Sequence, residues 1–109
     1  MINNMIFITV DHIEEFKPFI DFKIGEVLKI RKETDNTYDD EAIAVFQELG
    51  VKCGYVANSV DTVARGTYSA GRIYDKFDTE AYCVVRFATD ELLICELKTT
   101  KETIDKPAV

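Results

Sequence analysis

The chain has no tryptophan, one histidine, two prolines and five glycines among its 109 residues. No glycine-rich phosphate loop, GxSxG elbow or HExxH helix is present, so the nucleotide hydrolases, serine hydrolases and zinc proteases that depend on those motifs are excluded. No apolar run is long enough to cross a bilayer. The start, MINNMIFITVDH, lacks the basic segment and small-residue cleavage site of a signal peptide. Bases are also scarce, 13 against 20 acids, for a net charge of −7. Bulk attraction to DNA or to an anionic membrane is therefore excluded as a driving force.

Cysteines number three, Cys53, Cys83 and Cys95, widely spaced and each in an apolar run. An odd, scattered set is no disulfide framework, and the expected compartment is a reducing one, the cytoplasm. Each thiol is expected to serve as a small core hydrophobe. A zinc site from these cysteines and His12 would need all four ligands to converge by accident of fold, so neither metal nor cofactor is expected.

What is present is an apolar content of 47%, enough for one core in one domain. Met5 to Val10 is apolar and β-branched and reads as a strand buried on both faces. Asp11 to Phe22 contains Phe16, Phe19, Ile20 and Phe22, and Pro18 breaks any long helix. It is expected to be a loop or a single helical turn whose aromatics cover a barrel end. Glu26 to Lys32 alternates, with Leu28 and Ile30 inward and Lys29 and Arg31 outward.

Glu33 to Asp40, ETDNTYDD, is a loop by composition, because Asp and Asn side chains bond nearby backbone N–H groups. Tyr38 within it either plugs a core edge or offers its ring to a ligand, and the residues alone favour the plug. Ala42 to Phe46 reads as a central strand. Leu49-Gly50 supplies a turn, and Val51 to Val56 returns with Val51, Cys53 and Tyr55 on one side. Gly54 marks a bend or a close backbone approach. Asn58 or Ser59 is expected to cap a helix with Val60, Val63 and Ala64 as its buried stripe and Gly66 at its end.

Thr67 to Phe77 matches no element well, and Ser69-Ala70-Gly71 reads as a turn. Ala81 to Ala88 and Leu92 to Leu97 form a hairpin across Thr89-Asp90-Glu91. The predicted organisation is a single domain over residues 1–98 and a charged, flexible tail over 99–109. The fold class is mainly β: six short strands and one or two short helices in a small, closed or nearly closed barrel.

Three blocks carry more specific information: Asp35-Asn36-Thr37-Tyr38-Asp39, then Ala42-Ile43-Ala44-Val45, then Gly54-Tyr55-Val56. In order, spacing and residue type they resemble the HIRAN domain, whose core reads roughly DN-x-YD-x-x-AI-x-V, a spacer, then G-Y/H-V/L. The likeness runs from about Leu28 to Leu97 and is similar to the short bacterial form made of this domain alone. The resemblance implies an OB-like barrel, non-catalytic DNA binding and a link to DNA repair. In a eukaryotic member the domain accepts a single-stranded 3′ end in a pocket lined by the polar turn.

Carried over by position, Asn36 and Asp39 are polar pocket groups, with Asp39 placed to accept from a terminal hydroxyl. Tyr38 stacks on a base, and Tyr55 and Asn58 close the pocket. The partners implied are single-stranded DNA ends and a helicase or nuclease working on them, with no membrane. The resemblance is incomplete in its cations. No arginine follows the first strand, and Asn58 stands where a lysine would hold phosphate. Arg31, Arg65, Arg72 and Lys76 are the candidates to compensate. Helicase and zinc modules found beside the domain elsewhere are absent from this sequence, and their chemistry is not expected here. The competing expectation is a protein-interaction or structural module that keeps the barrel and has lost DNA binding.

Overall fold

Alternation of apolar and polar residues sets the strands. A computed structural model of the chain describes residues 5–15 and 21–99. Strands β1 (Phe7–Asp11), β2 (Val27–Lys32), β3 (Ile43–Phe46), β4 (Lys52–Val56), β5 (Glu80–Ala88) and β6 (Leu93–Lys98) form a closed barrel in the order β1-β4-β3-β2-β5-β6. Every pairing is antiparallel. Closure leaves these six strands no free edge for another chain to pair with. The six-stranded, mainly β expectation is met.

Ile8, Val10, Leu28, Ile30, Ile43, Val45, Val85 and Leu93 fill the interior and are fully buried. Burying one such side chain is worth about 1.5–3 kcal/mol, so these positions dominate the fold's stability. β1 is buried on both faces, as its composition suggests. Ile8 and Val10 face the core, while Thr9 lies under the segment 64–68. The Thr9 hydroxyl meets that of Thr67 at 2.8 Å and accepts from the Ala64 N–H at 3.1 Å, so the buried polar atom is satisfied. Lys29 and Arg31 face outward from β2, as the alternation requires.

β4 departs from simple alternation. Val45 pairs with Gly54 but Phe46 with Lys52, so Cys53 is the extra residue of a β-bulge. The bulge shifts the strand's parity. Cys53 and Gly54 both face inward, while Lys52 and Tyr55 share the outer face and Val51 is half exposed. The expectation that Val51, Cys53 and Tyr55 lie together is thus corrected. Gly54 is a close approach: a Cβ there would lie 2.6 Å from the Asp11 carbonyl oxygen and 2.9 Å from Val10 Cγ1.

The helix expected after Asn58 is not formed, a second correction. The Ser59 carbonyl accepts from the N–H groups of Thr62 and Val63, both at 2.9 Å, and this single turn goes no further because the Ala64 N–H goes to Thr9 instead. Val60 is 95% exposed, so the supposed apolar stripe is not a buried face. The helix lies one segment later. Helix α1 (Ala70–Ile73) continues into a 3-10 turn over Tyr74–Lys76 and buries Ala70 and Ile73. Ser69 caps it, its hydroxyl accepting from the Arg72 N–H at 3.3 Å.

Ile13–Glu15 makes one 3-10 turn with Ile13 buried, and Phe22 packs against the core. Phe16, Pro18, Phe19 and Ile20 lie outside the described residues, as does the predicted tail beyond Thr99. Among the described residues no helix is long and apolar enough to cross a membrane.

Candidate nucleic-acid interface

The polar turn between β2 and β3 is built by its own side chains. Asn36 Oδ1 accepts from the N–H groups of Tyr38 (2.8 Å) and Asp39 (2.9 Å), while its Nδ2 donates to Glu33 at 2.8 Å. Asp39 Oδ1 accepts from the Glu41 N–H at 2.9 Å. These short-range bonds hold the turn without a core contact from Tyr38, which is 98% exposed. The plug favoured by the residues alone is corrected.

The base of the turn is fastened to the barrel wall through Glu33. Tyr55 Oη donates to its carboxylate, 3.0 and 3.1 Å from the two oxygens, and Lys52 Nζ donates to it at 2.9 Å. Burial pushes the Glu33 carboxyl up, but hydrogen bonds from Asn36, Lys52 and Tyr55 outweigh it and hold the group below its ordinary value. The Lys52 ammonium is correspondingly raised by its bonds to Tyr55 and Glu33.

Asn58 ties three segments together. Its Nδ2 donates to Asp39 (3.1 Å to Oδ2) and to Glu41 (3.4 Å), and its Oδ1 accepts from the Gly71 N–H at 2.8 Å. The amide therefore joins the polar turn to α1 and orients the Asp39 carboxylate. Opposite, at the end of β1, His12 has φ 60°, an uncommon backbone conformation for a residue with a side chain. Its Nδ1 lies 2.7 Å from Asp11 Oδ1, and its ring stands edge-on to Tyr55, with centroids 6.0 Å apart and planes at 82°.

Between these parts lies an open groove of about 780 Å³. Asn36, Tyr38, Asp39, Tyr55 and Asn58, all singled out in the sequence, line it together. Asp11, His12 and Glu15 also line it and were not anticipated. The one signal for them was a lone histidine directly after a buried strand, where the chain must turn at the rim. The groove thus combines aromatic rings with three carboxylates, and among the described residues no lysine or arginine lines it.

The four candidate cations lie elsewhere. Arg31 is on the outer face of β2, 3.6 Å from Glu80, in a separate hollow shared with Lys29. Arg65 and Arg72 line a second hollow, which meets the groove at Asn58 and Ser59. The Arg72 guanidinium lies 4.2 Å from the centroid of the Tyr68 ring, with Lys76 Nζ at 6.0 Å from the same ring.

Cys53, Cys83 and Cys95 are buried inside the barrel, away from the groove. Burial pushes the Cys53 thiol up to about 12. A bond to Cys95, together with burial, raises Cys83 well above the ordinary thiol value. Raised in this way, the Cys53 and Cys83 thiols have little nucleophilic character at physiological pH.

Comparison with known proteins supplies one match. The model of the HIRAN domain family matches residues 12–100. No curated protein matches the chain, and no solved structure does.

Proposed function

The chain belongs to the HIRAN domain family, and from that premise we propose that it is a non-catalytic module that holds the free 3′ end of a single-stranded DNA in the groove. The family supports nucleic-acid binding in general. The end specificity rests on one observation: the fully exposed Tyr38 ring stands at the rim of a groove whose wall carries the Asp39 carboxylate. Tyr38 stacks on the terminal base, a contact worth about 1–3 kcal/mol. Asp39, held by Asn58, accepts from the 3′ hydroxyl, and the Tyr55 and His12 rings form the floor beneath the sugar. Asn36 serves by shaping the turn. Asp11, Glu15 and Asp39 repel a terminal phosphate, so the groove prefers an end that carries a hydroxyl. A module of this kind would present ends to a helicase or nuclease during DNA repair.

A second reading, a protein-interaction module, is favoured by the net charge of −7 and by the groove's lack of lysine and arginine among the described residues. Fluorescence anisotropy at low salt separates the two, using labelled single strands with a free 3′ hydroxyl, a 3′ phosphate or a blocked 3′ end. The DNA-end reading expects binding to the free hydroxyl and loss of that preference in Asp39→Ala. Absence of binding to every strand would reject it and leave the protein-interaction reading.

A further inference from the structure

We propose that the hollow lined by Arg65 and Arg72 is a phosphodiester subsite for the backbone of the strand whose end occupies the groove; this rests on the reading above. The groove has stacking surface and a hydroxyl acceptor but no cation among its described lining residues, and a nucleic acid brings one negative charge per nucleotide that must be met. The hollow of about 370 Å³ shares Asn58 and Ser59 with the groove as a common wall, so a strand leaving the groove past those residues enters it directly.

The state of the cations supports this assignment. Lys29 and Arg31 are paired with Glu80, Lys52 with Glu33, and Arg86 and Lys98 with Glu96. Among the described residues, Lys23, Lys32, Arg65, Arg72 and Lys76 have no ion pair; Lys32 donates to the Phe77 carbonyl at 2.9 Å, whereas Arg65 and Arg72 share a hollow that no carboxylate lines. Arg72 rests over the Tyr68 ring, an arrangement that fixes the guanidinium without neutralising it. Tyr68 is itself fixed to β1, its N–H donating to the Phe7 carbonyl at 2.7 Å. The loop bearing Arg65 is pinned by the Ala64 N–H on Thr9 and by the Thr67 hydroxyl, which donates to the Ala64 carbonyl at 2.7 Å. The Arg72 guanidinium and the backbone that carries Arg65 are therefore in place before any strand arrives, which lowers the ordering cost of binding.

The test is the salt dependence of affinity for a fluorescent single strand with a free 3′ hydroxyl. It compares the wild type with an Arg65→Gln/Arg72→Gln double variant, with Arg31→Gln and with Tyr38→Ala. Removing one cation from a phosphate lowers the slope of log K against log salt by about 0.7, so the double variant should fall by about 1.4 while keeping its preference for a free end. Arg31→Gln should leave the slope unchanged, and Tyr38→Ala should keep the slope and bind more weakly. A double variant that binds with the wild-type slope overturns the subsite while leaving the groove reading intact. A wild type that binds no strand overturns both.

Discussion

The wall of the barrel and the rim of the groove both display carboxylates, and they treat them in opposite ways. On the wall, Glu96 is 5% exposed and sits between Arg86 Nη2 (2.9 Å) and Lys98 Nζ (3.1 Å). Glu33 and Glu80 likewise hold lysine or arginine. At the rim, Asp39 is held by the neutral amide of Asn58 and by backbone. Wall charges are neutralised so that they can sit against a packed sheet. Rim charges keep acceptor capacity open to an incoming donor. On the proposed reading, the same residue types serve stability in one place and recognition in the other. Substitutions should accordingly affect either stability or binding, and seldom both.

The sharpest challenge to that division is Gly54, which lies on the wall but presses on the residues that carry the rim. Gly54→Val should cost about 3 kcal/mol, because backbone at Asp11 and the Val10 side chain must both move. At about 4–8 °C per kcal/mol, thermal denaturation should show a fall in Tm of more than about 12 °C. An unchanged Tm would mean that the approach of β4 to β1 is not tight. Tyr38→Ala should do the reverse: single-strand affinity falls by about 2 kcal/mol, roughly 30-fold, with Tm unmoved. Anisotropy and a melting curve on the same sample check both halves.

Glu96→Gln leaves Arg86 and Lys98 without their anion. Arg86 is half exposed and can turn to water, so the expected loss is about 1 kcal/mol of stability, read in urea, with binding unchanged. The smallest effect is with acid. Burial raises the Glu96 carboxyl, but hydrogen bonds from Lys98 and Arg86 outweigh it and leave the group below its ordinary value of 4.5, as for Glu33. A carboxyl with a depressed folded pKa contributes stability fully present above the unfolded value and lost as pH falls through the folded one. Urea midpoints should therefore be level above about pH 5 and decline below about 4.5. In Glu96→Gln that decline should be shallower.

The strands were legible because period-two alternation survives in most of them: Leu28 and Ile30 point inward and Lys29 and Arg31 outward, as written in the sequence. The parity of Tyr55 was not legible, because a bulge is a decision of the pairing partner, β3, and leaves no mark at Cys53 itself. The helix was misplaced by one segment for a related reason. Val60, Val63 and Ala64 have helical spacing, but the Ala64 N–H is claimed by Thr9, a residue 55 positions away. Gly71 hid the true helix, whose signals are the Ser69 cap and the buried pair Ala70 and Ile73.

Within the groove, the polar turn could be read from its Asp and Asn residues, and the family pattern located Tyr38 and Asp39. The fate of the cations could not be read. Arg31 is close in sequence to the turn, yet it lies on the outer face of β2, where its partner is Glu80, from a strand far along the chain.

The division between wall and rim is tested most directly by titrating ¹⁵N-labelled protein with a short single strand bearing a free 3′ hydroxyl and following the backbone amides. The largest shifts should fall on residues 36–39, 12, 55 and 58, with residues 29–31, 80 and 96 unmoved. Shifts confined to the wall, or spread evenly over the barrel, would contradict a groove built to receive a strand end.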